Sequence, residues 1–349
     1  MRAKARLIGL CALAALPSLG LARASAQSAA PTYAGRTINL IVGSTTGGYY
    51  DTGGRIVARH LSQFIPGNPA IVVQNQPEAG GLAMLNQLAN TAPRNGETIA
   101  VISRALPQLG LLGDPNANFD PLKLTWLGSV TSYKDDAYLM VINDGVPVHN
   151  LEEARTTRKP LFLGGTRAGS TNITFALLAH DLLKMNVEII RGFPGAAEAW
   201  LAQDRGEIDG QIADVSAIKV GRPQLWAAGK LRPLVAFGRL DRLPELPDVP
   251  VARELVKDPA DRALLEFAEL PFFMALPFVA PPDLPPDRRQ ILQNAFMQMA
   301  HDGAFIADIE KAGIATSPVD GAAVHDLIVK AAETPADVRA RFGRLLADK

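Results

Sequence analysis

Val42-Gly43-Ser44-Thr45-Thr46-Gly47-Gly48-Tyr49-Tyr50-Asp51 is the stretch around which the chain is organised. Ahead of it, Thr37-Ile38-Asn39-Leu40-Ile41 is a short apolar run with β-branched residues, the pattern of a buried strand. Behind it, Val57, Leu61 and Phe64 recur at helical spacing, on a helix that also carries Arg55, Arg59 and His60. The stretch is therefore a strand-to-helix turn, and a helix N-terminus concentrates free N–H groups and partial positive charge. Gly47 and Gly48 let a guest approach that backbone with no Cβ in the way. Together these features make an anion cradle. No Gly-Lys-Ser/Thr follows, so it is not a phosphate loop of the Walker type, and G-x-G-x-x-G is not matched. Taken alone, a Gly-Gly turn is also how any tight strand-to-helix connection is built.

At the start of the chain, Arg2, Lys4 and Arg6 precede the apolar run Leu7 to Leu16, then Pro17, and Ala24-Ser25-Ala26 offers a small-x-small cleavage site. This reads as a secretory signal peptide over residues 1–26, cleaved after Ala26, because the run is far short of the ~20 residues a spanning helix needs. No later stretch is long and apolar enough to span a membrane. The one cysteine, Cys11, lies inside that signal, so the mature chain has no thiol chemistry, disulfide or cysteine metal site. Four basic and no acidic residues fall in 1–26, which leaves 31 basic against 35 acidic residues in the mature chain. A net charge of that sign is no footprint for nucleic acid. The remaining length suggests about two domains, each with its own core.

Short apolar runs alternate with helical patterns along the mature chain. Ala70–Val73, Thr98–Ile102, Tyr138–Ile142, Leu161–Leu163, Val187–Ile190, Gly210–Ala213 and Leu234–Phe237 read as strands. Leu82–Ala89, Thr171–Lys184, Ala196–Arg205 and Ile218–Ala228 read as helices between them, which argues for parallel α/β sheets. After Pro250 helices dominate, at about 287–300, 304–312 and 322–333, with the apolar run Phe272–Val279 among them. Ligands of open α/β sheets sit outside the carboxyl ends of strands. Those ends supply a second set of candidates: the Gly-rich turn Gly164 to Thr171, the turn Asn75 to Gly81, Ser103-Arg104, Arg191 to Gly195, and Asp214. Such turns in both halves suggest two lobes facing one another.

With these residues in view, the chain resembles the periplasmic receptors of tripartite tricarboxylate transporters, the TctC or Bug family of solute-binding proteins. That family's Val-Val-Val-Glu-Asn-x-Pro-Gly-Ala-Gly-Gly segment is similar to Ile71-Val72-Val73-Gln74-Asn75-Gln76-Pro77-Glu78-Ala79-Gly80-Gly81, and its Ala-x-Pro-Asp-Gly-Tyr-Thr to Ala92-Pro93-Arg94-Asn95-Gly96-Glu97-Thr98. Its second-lobe Gly-rich turn resembles Gly164 to Thr171, and its Pro-Tyr-x-Gly is close to Phe193-Pro194-Gly195. Leu246-Pro247-Asp248-Val249-Pro250 and Ala280-Pro281-Pro282-Asp283-Leu284-Pro285 follow in the family's order. The resemblance spans about residues 36–345. It departs at Gly47-Gly48-Tyr49-Tyr50-Asp51, where the family often has Gly-Gly-Gly-Thr-Asp, and at Arg167, where small polar residues are common. The Gly-Gly-Tyr-Tyr stretch also resembles TAXI receptors, but the later signatures do not.

The resemblance implies an α/β fold of the two-lobed periplasmic binding type (type II, a Venus flytrap), each lobe a mainly parallel sheet flanked by helices. Lobe one is expected over 31–138 and 240–349 and lobe two over 139–239, hinged near Tyr138–Asn143 and Leu234–Arg242. It implies a small organic acid bound between the lobes by the turns Ser44, Thr45, Thr46, Gly47, Gly48 and Tyr49 and Thr166, Arg167, Ala168, Gly169, Ser170 and Thr171. Asp51, Gly80, Arg104, Pro194 and Asp214 complete the candidate site. Arg167 and Arg104 are the cations that could fork onto a carboxylate or else form structural ion pairs, whereas Asp51 in the first turn of a helix is more often a cap and Asp214 has an equal use as a turn residue. Of Tyr49 and Tyr50, one is expected to pack into the core while both border the cleft. No cofactor or metal is expected, and the partners are membrane permease subunits met by a monomeric periplasmic receptor. The alternatives are a hydrolase or other enzyme on a two-lobed scaffold, and a receptor of a TRAP/TAXI or ABC-type system. His60, His149, His180, His301 and His325 are scattered, and no Gly-x-Ser-x-Gly elbow is present.

Overall fold

Two mixed sheets carry the molecule, described here by a computed structural model over residues 33–132, 134, 136–166, 170–193 and 195–347. The signal-peptide segment with its cleavage site, and Arg167, Ala168, Gly169 and Pro194, lie outside the described residues. In chain order the strands are β1 (Thr37–Val42), β2 (Ala70–Asn75), β3 (Thr98–Val101), β4 (Thr125–Ser129), β5 (Tyr138–Asn143), β6 (Leu161–Gly164), β7 (Val187–Ile190), β8 (Gly210–Asp214), β9 (Leu231–Phe237), β10 (Pro277–Ala280) and β11 (Val319–Asp320). The first sheet runs β11-β4-β10-β3-β1-β2 and the second β7-β6-β8-β5-β9.

In each sheet the strands with helical crossovers are parallel: β1 with β2 and β3, and β6 with β7 and β8. The strands that return from the other half are antiparallel. β10 lies against β3 and β4, and β5 against β8 and β9. The expected mainly parallel sheets are thus parallel on one side and antiparallel where the chain crosses over. β5 and β9 pair with Tyr138 opposite Phe237, so the chain enters the second sheet and leaves it at neighbouring points. The crossings are the segments just before Tyr138 and just after Phe237, rather than the interior of β5.

Alternation explains the cores. Ile38, Leu40 and Val42 of β1 are buried and pack with Val57 and Leu61 of the helix Tyr49–Leu61 and with Leu292, Phe296 and Phe305 from the C-terminal helices. All four residues of β3 are buried, as a central strand requires, whereas β2 at the sheet edge alternates and leaves Val72 exposed. One expected helix is corrected, and three strands lie where none was expected. The apolar run Phe272–Val279 divides into a 3₁₀ turn, Leu270–Met274, and β10. The Ile218–Ala228 pattern is two helices, Val215–Gly221 and Pro223–Ala227, because Pro223 cannot donate to the preceding turn. β4 and β11 went unread: β4 is buried at every position and so lacks an alternation, and β11 is two residues long.

Candidate functional site

The first turn is held by a buried carboxylate. Asp51, 1 % exposed, accepts from the Gly47 amide at 2.8 Å, from Arg55 Nε at 3.0 Å and from Asn75 Nδ2 at 2.8 Å. The same Asn75 amide reaches the Ser44 carbonyl at 2.9 Å, and Arg55 Nη2 donates to Asn75 Oδ1 at 2.8 Å. Burial would raise the Asp51 carboxyl, but the hydrogen bonds from Arg55, Gly47 and Asn75 outweigh it and hold its pKa below the usual range. Asp51 is therefore turned inward, and the Gly47 N–H is already bonded. Gly47 has φ +82°, and Gly48 is an extended N-cap (φ −79°, ψ 174°). Thr45 and Thr46 are exposed, and Thr46 and Gly47 border an outer groove with Arg55, Arg59 and Lys311. Gly80 (φ +67°) sits in the turn after β2 with its amide on the Pro77 carbonyl.

At the start of the same helix, Tyr49 and Tyr50 do reach a cleft between the sheets. It is a cavity of about 530 Å³ walled by Tyr49, Tyr50, Arg104, Thr131, Asp136, Tyr138, Asp214, Ser216, Ala217 and Ala312–Ala315. The two tyrosine rings meet edge to face at 5.3 Å, and Tyr50 also packs against the first core. Surrounding protein desolvates the Tyr49 hydroxyl and raises its pKa, with Arg104 opposing, although 39 % of the residue's surface is exposed. The phenol stays protonated and is a donor at neutral pH.

Arg104 is the cation of this cleft. It follows β3, its backbone N–H donates to Tyr50 Oη at 3.1 Å, and Nη2 donates to Tyr138 Oη at 3.2 Å. Its guanidinium lies 4.6 Å from the Phe272 ring centre, inside cation–π range. Tyr138, Phe272, Phe175 and Phe237 continue as an aromatic stack, with Phe175 and Phe237 parallel at 4.7 Å. Two acids border the same cleft, Asp136 just before β5 and Asp214 at the end of β8. Asp136 accepts from the amides of Ala137 (2.8 Å) and Val215 (3.0 Å) and from Ser216 Oγ (2.6 Å). Asp214 caps the helix Val215–Gly221 through the Ala217 amide at 2.8 Å and accepts Ser216 Oγ at 3.1 Å. Burial pushes the Asp136 carboxyl up, and the Asp214 charge adds to it against the Ser216 and backbone hydrogen bonds.

The second Gly-rich turn does not wall this cleft in its described part. Thr166 and Ser170 hydroxyls both donate to Asn172 Oδ1, at 3.2 and 2.5 Å. Thr171 instead borders a second cavity of about 280 Å³, together with Arg104, Ala105, Gln108, Leu109, Leu112, Thr174, Phe175, Ala268, Pro271, Phe272, Phe342 and Leu346. Of the sequence candidates, Tyr49, Arg104, Asp214 and Thr171 thus converge on the two spaces that share Arg104. Ser44, Gly48, Gly80, Thr166 and Ser170 border neither. Thr131, Asp136, Tyr138, Ser216 and Phe272 went unread as site residues. No local signal marks Tyr138: it enters the site because β5 runs antiparallel to β8, which sets its first residue opposite Asp214 where β8 ends.

A family profile described as the tripartite tricarboxylate transporter family receptor (TctC) matches residues 54–336, most of the chain. The chain belongs to this receptor family. A protein of Cupriavidus necator described as "UPF0065 protein in gbd 5'region" is 30% identical over 250 residues, 69% of this chain and 71% of that protein. Among solved structures, a TctC solute binding protein from Polaromonas superposes with a TM-score of 0.69 at 18% identity, over 91% of this chain and all of that one. MatC from Rhodopseudomonas palustris, solved with bound malate, superposes at 0.55 with 19% identity over 89% and 98% of the chains. The receptor fold, two lobes with a mixed sheet in each, is common to them.

Proposed function

We propose that this chain is an exported receptor that captures a small organic carboxylate between its lobes and delivers it to a tripartite tricarboxylate-type membrane transporter. The observation that carries the reading is Arg104, set after β3, where it borders both spaces between the sheets with Tyr138 and Phe272 beside its guanidinium. A guanidinium bordered by tyrosine hydroxyls suits a carboxylate, which accepts charge-assisted hydrogen bonds in fork geometry. Family membership and the malate in MatC support the ligand class. On this reading lobe one comprises 31–138 with 240–349, lobe two comprises 139–239, and closure bends the two crossings. Arg239, 9 % exposed, joins those crossings: Nη1 donates to the Lys134 and Asp136 carbonyls at 2.7 and 2.9 Å. The chain acts as a binding protein, so a bound acid is returned unchanged.

The test is calorimetric titration and thermal shift with a panel of mono-, di- and tricarboxylates. A binding acid at about 100 times its dissociation constant stabilises the fold by about 2.7 kcal/mol. Arg104→Gln should weaken that acid by about tenfold to a hundredfold, the value of a charge-assisted contact of about 1.5–3 kcal/mol. If no carboxylate moves the transition, or if one is consumed, the receptor reading is wrong. Export is checked separately: mass spectrometry of the exported protein should find Gln27 at its N-terminus, and an intact Met1 start would contradict the signal-peptide reading.

A further inference from the structure

The second cavity differs from the cleft in the charges that border it. Arg104 lines both spaces. On the cleft side the lining includes Asp136 and Asp214, whereas the described residues around the second cavity include no acid and no other base. There the wall beyond Arg104 is apolar: Leu109 and Leu112 of the helix Leu106–Leu112, Phe175 of the helix Thr171–Asp181, and Phe342 and Leu346 of the helix Ala336–Ala347. Its other polar lining residues are Gln108, Thr171 and Thr174. Thr171 Oγ makes no hydrogen bond among the described residues, and Gln108 is buried with its amide on the Phe267 carbonyl at 2.5 Å. The elements around it come from both halves of the molecule, so it lies between the lobes as the cleft does.

An anion on the cleft side would meet two carboxylates, and like charges at close range disfavour binding. On the far side it meets a guanidinium and a hydroxyl, followed by an apolar wall. A second carboxylate on the same ligand would be driven against leucines and phenylalanines with no partner among the described residues, and a buried unpaired charge is strongly unfavourable. A hydrocarbon body would instead bury apolar surface there. About 280 Å³ lies near the lower end of ordinary ligand pockets, enough for a small acid. We infer that the ligand is an amphipathic monocarboxylate, its head on the Arg104 guanidinium and Thr171 and its aliphatic or aromatic body against Leu109, Leu112, Phe342 and Leu346. This rests on the carboxylate-receptor reading and adds the substrate class.

Hexanoate and adipate test it, since both have six carbons and differ only in a terminal methyl against a second carboxylate. Titrated calorimetrically into the mature protein at neutral pH, hexanoate should bind at least tenfold more tightly than adipate, and malate should be weaker still. Leu112→Lys places a cation at the apolar end, on the last residue of its helix, where a lysine stem is easily accommodated. The hexanoate-to-adipate ratio should then fall at least tenfold while the melting temperature stays close to that of the parent. Adipate or malate binding as tightly as hexanoate, or a ratio unmoved in a folded Leu112→Lys protein, overturns this inference and leaves the receptor reading intact. Binding of none of the three, nor of any other acid in the panel, removes the receptor reading and this inference with it.

Discussion

At Asp51 burial and hydrogen bonding pull in opposite directions, and the hydrogen bonds win. Its carboxylate closes the turn on Gly47 while tying it to Asn75 and Arg55. Asp51→Asn should cost about 1.5–3 kcal/mol at pH 7, the range for hydrogen bonds to a charged group. Because the folded pKa lies below the unfolded one, this stability is fully present above the unfolded value of about 3.9 and is lost as pH falls through the folded value. Urea unfolding of both proteins should therefore give a gap that is wide at pH 7 and narrows towards pH 3. A gap of constant width would mean that the charge plays no part. Asp51 was legible as a first-turn acid. Its inward direction was not, because the partner Asn75 is separated in sequence by a whole helix.

Among the elements, the turn after β2 is held by proximity rather than by side chains. Gly81 has φ +87°, and a Cβ there would sit 2.6 Å from the Gly43 carbonyl oxygen. Gly47 has nearly the same φ, +82°, with nothing within 4 Å of its Cβ position. Gly47→Ala should therefore carry only the left-handed backbone penalty, about 1–2 kcal/mol. Gly81→Ala adds a backbone clash and should cost clearly more, which chemical denaturation of the two variants compares directly. Equal losses would show that the β1 and β2 turns are not packed against one another. Gly48 is different again: its φ is negative and a Cβ would meet only the Thr45 carbonyl at 3.5 Å, so the fold can accept a side chain there.

For the whole molecule, two arginines join parts that are distant in sequence. Arg239 is buried and bonds the backbone of one crossing to the other, while Arg341 is about one-third exposed and bridges Asp181 (2.6 Å) and Asp261 (2.5 Å). Arg239→Ala removes hydrogen bonds from a charged group to the Lys134 and Asp136 carbonyls and should lower stability by about 1–3 kcal/mol. It should also weaken ligand binding, because Tyr138, the hydroxyl partner of Arg104, follows that backbone. Arg341→Ala should cost no more than about 1 kcal/mol, a loss that shrinks in high salt, with ligand affinity unchanged. Thermal melts at two salt concentrations, with titration of the best acid, separate these outcomes. Unchanged affinity in Arg239→Ala would show that the crossings do not position the cleft.

Local pattern in the sequence determined the strands that feed helices. β1, β2, β3, β6 and β7 each carry an apolar run bounded by a turn, and the Gly-rich stretches at 43–48 and 164–170 mark where helices begin. Such features depend on neighbours in the chain, so they can be read from it. The returning strands β4, β10 and β11, and the placing of Tyr138 beside Asp214, depend on which distant segments pair. Those pairings are selected by the burial of whole sheet faces, a property that no short window contains. The same holds for Arg104. Sequence placed it after a strand, but only the packed structure put it over Phe272 with acids on one side and leucines on the other.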